Sequence, residues 1–218
     1  MKKTINWEAL VNDGENYGDL GADLSPQEKI IFEAIKDQKV LKIQDSYAFS
    51  KTGQVTADHG KELATLIANF EPVKNITTLI LTHNHLGPEG AKILTESPIL
   101  PKITYLHLGS NHLGDEGIAF IAGAEIFSEV TTLNLECNGI TAAGAKALAA
   151  SPVFSKLTYL NLVDNRIGDE GAMAIANSDS FANLTYLHLG GNRVKSQEAK
   201  QALKESSKLT QLETLKVF

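Results

Sequence analysis

Histidines and a lone cysteine gather in the middle of this sequence, and the chemistry open to them is metal binding or nucleophilic attack. His83 and His85 flank Asn84, and His112 lies 27 residues after His85. If adjacent segments stack, His85 and His112 come within bridging reach of a metal ion. A zinc-type site needs three or four ligands, and no carboxylate recurs at the matching position, so no metal is expected. The string His83-Asn84-His85 matches a nuclease motif by letters alone, with no zinc-type hairpin around it. Cys137 falls near His107 or Asn134, with Ser110 and Asp164 as neighbours in register. A cysteine nucleophile needs a positioned base and an oxyanion donor, and that set supplies neither. Cys137 therefore reads as a core-like or incidental thiol. Phosphate-cradling glycine loops, nucleophile elbows and kinase signatures are missing. No catalytic residue, no cofactor and no enzymatic activity is expected. A cryptic enzyme built on the histidines and Cys137 is the least favoured alternative.

The bulk numbers point the same way. The 218 residues suffice for one extended domain or two small ones, and 43% hydrophobic with 21% charged residues is the composition of a folded, soluble chain. Lys and Arg number 20 against 26 Asp and Glu, a net charge of -6, which argues against a nucleic-acid binder with a basic stripe. A single cysteine excludes an internal disulfide and suits a reducing, cytoplasmic compartment. The first residues carry no apolar run of signal-peptide length, and no stretch is long and apolar enough to span a membrane. The sequons at Asn75 and Asn183 then read as coincidence.

What positions these residues is a repeat. Asn84, Asn111, Asn138, Asn165 and Asn192 follow one another at intervals of 27. Before each stand two leucines, from Leu79 and Leu81 to Leu187 and Leu189, with an aliphatic residue ahead of the pair (Ile76, Ile103, Val130, Leu157, Leu184). Another aliphatic follows each asparagine (Leu86, Leu113, Ile140, Ile167, Val194), then Gly90, Gly117, Gly144 and Gly171, with Glu198 breaking the series. Leu-x-Leu alternates as a strand does, and pairs such as Ala91 with Leu94 then keep helical spacing. Neither element can bury its apolar face alone. Stacked copies make a parallel sheet and a row of helices with the leucines between them, an α/β solenoid. The asparagines fall where the strand turns, and a buried carboxamide offers two donors and an acceptor for stranded backbone groups.

Segments such as Leu157-Thr-Tyr-Leu-Asn-Leu-Val-Asp-Asn165-Arg-Ile-Gly-Asp-Glu-Gly171 resemble leucine-rich repeats of the ribonuclease-inhibitor-like class. The likeness is strong over 76–194 and extends over about 40–218 with degenerate ends. It implies a horseshoe arc with strands on the concave face and helices on the convex one. The units are shorter than is usual for that class, and a single unit type is expected here. The resemblance further implies a protein-interaction module that binds a partner protein, with inhibition or modulation of an enzyme as the sharper form. Similar short repeat proteins are effectors that bacteria deliver into host cells, so translocation of a bacterial virulence effector is a further implication; the partner is then an enzyme or a second effector.

The organisation expected is a tail and capping helix over 1–39, a degenerate first repeat over 40–75, and repeats over 76–218 ending in a truncated strand. Ser25-Pro26-Gln27-Glu28 reads as a capping box ahead of an apolar helix face of Ile30, Ile31, Ala34 and Ile35. Leu41 and Ile43 read as a first strand, Ser50–Gln54 as an insertion, and Ala57–Asn69 as a helix. Leu212, Leu215 and Val217 restart the strand pattern and leave a sheet edge that could serve a scaffold or homodimer, although a monomer is expected.

The candidate binding residues flank the leucines on the open strand face. One column is Thr78, Tyr105, Thr132, Tyr159, Tyr186 and Thr214. The next is Ile80, His107, Asn134, Asn161, His188 and Lys216. A third runs Thr82, Gly109, Glu136, Val163 and Gly190 to Phe218, its glycines expected to admit a partner close to the backbone. Tyrosine offers large contact area with few rotors, which suits binding, although tyrosine and threonine also suit a solvated strand. Lys92, Asp115, Glu116, Lys146 and Glu170 read as a solvated outer helix face.

Overall fold

Each unit has to carry the chain from strand to helix and back within 27 residues, and backbone polar groups at both turns need partners. The computed structural model describes residues 24–36, 39–45 and 57–217. The helix α1 (Pro26–Ala34) and the short strand β1 (Ile35–Lys36) come first. The parallel strands are β2 (Val40–Gln44), β3 (Thr78–Thr82), β4 (Tyr105–His107), β5 (Thr132–Asn134), β6 (Tyr159–Asn161), β7 (Tyr186–His188) and β8 (Thr214–Lys216). Between them run α2 (Ala57–Asn69), α3 (Gly87–Thr95), α4 (Gly114–Gly123), α5 (Ala142–Ala150), α6 (Gly168–Ala176) and α7 (Gln197–Lys204). The strands lie side by side in chain order in one open sheet, with each helix packed on the next. This is the α/β solenoid that the switch of period requires.

Ser25 and Glu28 form a reciprocal capping box: the Glu28 N–H donates to Ser25 Oγ and the Ser25 N–H to Glu28 Oε2. Ile31 is fully buried, but Ile35 leaves the helix and pairs with Leu41 in the antiparallel β1–β2 ribbon. The backbone of the β-branched Ile35 is extended (φ -80°, ψ 97°), which ends the helix one residue earlier than its apolar stripe suggests. Leu41 and Ile43 pair with Leu79 and Leu81. Val40 and its partner Thr78 are 38 positions apart, against 27 for Thr78 and Tyr105. The Ser50–Gln54 insertion, like the tail before Leu24 and like Phe218, lies outside the described residues.

The paired leucines of the five central units are buried to 1% exposure or less. Beneath them Phe127, Phe154 and Phe181, again 27 apart, form a second fully buried file where the chain returns from helix to strand. Val73, Leu100 and Leu209 continue the file toward both ends.

Polar ladders close the turns. Asn138 Oδ1 accepts the N–H groups of Asn111 (3.0 Å) and Leu113 (3.3 Å) in the preceding unit. Its Nδ2 donates to the carbonyls of Leu108, Leu135 and Glu136 at 2.9–3.1 Å. Asn111, Asn165 and Asn192 make the same kinds of bonds one unit away. Asn84 donates to Ile43 O, while its Oδ1 accepts nothing among the described residues.

Threonines make a second ladder. The hydroxyls of Thr104, Thr131, Thr158 and Thr185 donate to the carbonyls of Thr77, Thr104, Thr131 and Thr158 at 3.1–3.2 Å. Serines make a third on the helix side, where Ser97, Ser151, Ser178 and Ser206 donate to the carbonyls of Ala68, Ala122, Ala149 and Ala176. Those carbonyls belong to the ends of helices or to their last turn, which lack intrahelical partners.

Within the single 27-residue unit type, helix starts come in two kinds. Gly87, Gly114 and Gly168 open α3, α4 and α6 with φ of 58–64°. In the two units without that glycine, an aspartate of the preceding unit takes over. Asp115 accepts from the N–H groups of Thr141 (2.8 Å) and Gly144 (2.9 Å) and from the Thr141 hydroxyl. Asp169 accepts from the N–H groups of Lys195 and Ser196 at 2.7 and 3.0 Å. Asp115, read from sequence as a solvated charge, is thus a cap, and its negative charge suits a helix N-terminus. Lys146 and Glu170 do form an outer ion pair at 2.8 Å.

Replacing Asn138 with alanine orphans N–H groups and carbonyls of two units at once. Asn138→Ala is expected to cost about 1–3 kcal/mol. Urea unfolding followed by circular dichroism checks it, and an unchanged midpoint rules the ladder out as a source of stability.

Candidate functional site

The ladders explain why the reactive-looking residues stand where they do. To point the carboxamide inward, the residue before each ladder asparagine takes left-handed backbone: His83, Ser110, Cys137 and Asp164 have φ of 53–57°. His85, His112 and Arg193, just after the asparagine, do likewise at 52–59°. Histidine and aspartate tolerate that region better than most residues, which gives the histidine pattern a backbone cause. The rings of His85 and His112 stand 5.0 Å apart, and among the described residues no three His, Cys, Asp or Glu side chains converge on a metal position.

Cys137 is exposed, so of the core-like and incidental readings the core-like one is corrected. The cause is its place at the outer corner of the turn. Partial burial, then the nearby Asp164 carboxylate, push its pKa up, partly offset by a hydrogen bond with Ser110. A thiol held protonated is a poor nucleophile.

On the open strand face the three columns separate into distinct parts. In the first, Tyr159 and Tyr186 stack face to face, with centroids 4.4 Å apart and planes 5° from parallel. Thr132 lies between Tyr105 and this pair, so the three tyrosines do not form one surface. His188 meets Tyr186 edge-on at 6.3 Å, and Lys216 Nζ sits 5.5 Å from the Tyr186 ring centre. Burial, then the Tyr186 hydroxyl, raise the Tyr159 pKa. Thr78, Ile80, Tyr105, Thr132, Val163 and both stacked tyrosines are partly exposed.

The second column has a local duty that the sequence did not announce. His107 Nδ1, Asn134 Oδ1 and Asn161 Oδ1 each accept the N–H two residues on, from Gly109, Glu136 and Val163, at 3.0–3.2 Å. Each closes the end of its own strand. Asn161 is only 6% exposed, contrary to its placement on an exposed face, because the Glu136 side chain crosses over it. Asn161 Nδ2 donates to Glu136 Oε2 at 2.9 Å, and Asn134 Nδ2 lies 3.4 Å from the same oxygen.

Gly109 is a further correction. A Cβ there would stand 2.9 Å from Glu136 Cγ and from His107 Cε1, so Glu136 and His107 already fill the space expected to admit a partner. Beside them, toward the N-terminal strands, opens a hollow of about 350 Å³ with Lys42, Ile80, His83, Tyr105, His107 and Glu136 among its walls. Lys42 and Gln44 were missed from sequence. Extending the alternation around Leu41 and Ile43 by one strand would have placed them.

The sequence comparison agrees with this geometry. Four segments, 74–94, 100–122, 130–149 and 155–176, match the model of the family described as Leucine Rich repeat. With the period, the ladders and the open parallel sheet, they define the fold class: an α/β leucine-rich-repeat solenoid. No curated protein is significantly similar to the sequence. Among solved structures, the tropomodulin C-terminal domain of Caenorhabditis elegans is similar at 16% identity, over 85% of this chain and 90% of that one, with a TM-score of 0.45. At that overlap the likeness says nothing about function. Among the described residues, no helix is long and apolar enough to cross a membrane.

Two measurements test the site's local physics. Because left-handed backbone penalises a branched Cβ most, Cys137→Val is expected to lose about 1 kcal/mol in urea unfolding while Cys137→Gly loses nothing. Equal midpoints for the two variants contradict that account. The second concerns pH. Burial lowers the pKa of His107 below its ordinary 6.5, with Glu136 opposing, so the unfolded chain binds the proton more readily. His188 is lowered too, by burial first and then by Lys216. Their contribution is present above the unfolded value and is lost as pH falls through it toward the folded values. The wild type should therefore lose more stability than His107→Gln between about pH 7 and about pH 5, in paired urea titrations.

Proposed function

We propose that the chain is a binding module that holds a partner protein on its concave strand face, with Tyr105, Tyr159 and Tyr186 as aromatic anchors. Leucine-rich repeats generally serve protein interaction, and solenoids offer extended concave surfaces for it. The observation that carries the reading is the partly exposed Tyr159–Tyr186 stack on an open sheet face. Two large rings already fixed against each other lose little conformational freedom when a partner covers them. Thr78, Ile80, Thr132 and Val163 extend the same face.

The resemblance supports a sharper form, in which the face covers an enzyme's functional surface and inhibits or modulates it. It also supports a bacterial effector that starts in the cytoplasm and enters a host cell, which a translocation-reporter fusion would test. A second reading uses β8, which pairs with β7 alone among the described residues and leaves its other edge for a scaffold or homodimer. Light scattering separates them: a concentration-dependent dimer favours the edge, a monomer the strand face.

The decisive experiment is affinity capture from lysates with wild type and with Tyr105→Ala/Tyr159→Ala/Tyr186→Ala. The triple variant should keep its helical circular dichroism and bind the captured partner at least about 30-fold more weakly, since central aromatic anchors are each worth about 2 kcal/mol or more. Undiminished capture removes the strand face as the site.

A further inference from the structure

The strand face holds a charge that the fold positions but does not neutralise. Glu136 lies over Gly109, where any Cβ would collide with its Cγ. Its Oε2 accepts from Asn161 and Asn134, side chains contributed by two adjacent strands. Asn161 is almost fully buried in doing so, and Asn134 is itself fixed through the Glu136 N–H. Oε1, by contrast, accepts no hydrogen bond and Glu136 forms no ion pair among the described residues. Elsewhere the acids Glu129, Glu170 and Asp179 pair with Lys156, Lys146 and Lys208, and Asp115 and Asp169 cap helices.

Resting on the strand-face reading, we propose that Glu136 is the seat for a basic side chain of the partner protein, an arginine guanidinium entering the hollow beside His107 and Tyr105. A half-buried carboxylate with one oxygen pinned and one open has already lost its rotamer freedom. It sits where a planar cation could donate charge-assisted hydrogen bonds to the open oxygen and rest against the neighbouring rings. The two asparagines and Gly109 position the carboxylate and do not touch the ligand. Lys42 lines the same hollow and forms no ion pair with Glu136 among the described residues.

The test uses isotope-labelled protein and two probes of nearly equal shape, N-acetyl-arginine amide, which is cationic, and N-acetyl-citrulline amide, which is neutral. Arginine should shift the side-chain amide resonances of Asn134 and Asn161 saturably, citrulline should not, and Glu136→Gln should weaken the arginine response at least about tenfold. Glutamine keeps an acceptor for both asparagines, so the variant is expected to fold. Equal responses to both probes, no saturable response to arginine, or an undiminished response in Glu136→Gln overturns the proposal. The two readings fail separately. A partner lost by the tyrosine variant with no arginine response leaves the strand-face reading standing and removes the cation seat. An arginine response with partner capture untouched by the tyrosine variant does the reverse.

Discussion

Every unit must end a strand inside the protein, where backbone groups have no water to turn to, and the ladder asparagine is the device that meets this need. One carboxamide serves two N–H groups of the unit before it and carbonyls of both units. Aiming it inward requires left-handed backbone beside it, at His83, Ser110, Cys137 and Asp164. The residues that looked most like chemistry are therefore the corner-formers of the ladder. Their type is selected by what a positive φ tolerates, and their exposure follows from the corner's geometry.

The same logic repeats at every boundary between units. Threonine hydroxyls tie the strand starts, serine hydroxyls cap the helix ends, and Asp115 and Asp169 close the helix starts that lack a left-handed glycine. Each of these contacts spans neighbouring units, so stability is nearly a sum over adjacent pairs, as expected of a one-dimensional array. The alternation of glycine and aspartate caps shows two solutions to one problem in successive units.

With the backbone satisfied from within, the outer strand face is left free to vary. It does so by region: a hollow beside Lys42 and Tyr105, an amide-held carboxylate at Glu136, and an aromatic stack ending at Lys216. Part of this face is nonetheless occupied with its own structure. His107, Asn134 and Asn161 terminate their strands before they can do anything else. A side chain on a solvent-facing column can thus be a structural acceptor, and Asn161 is buried for that reason.

The sequence by itself determined the fold, because a 27-residue interval of leucines and asparagines permits one arrangement in which every copy buries its apolar side. It also determined which residues lie on the strand face, since period-two alternation about Leu-x-Leu fixes the side of each neighbour. The threonine and phenylalanine files were equally periodic and could have been read from spacing alone, whereas the serine file is interrupted at Ala124. Tertiary structure decided what spacing does not encode: which neighbours on one face touch, which are covered, and which are already engaged. That Tyr159 meets Tyr186 but not Tyr105 follows from strand order, with Thr132 lying between. That Glu136 lies across Gly109 onto Asn161 follows from rotamer choice among neighbours in three strands, and no one-dimensional pattern records that choice.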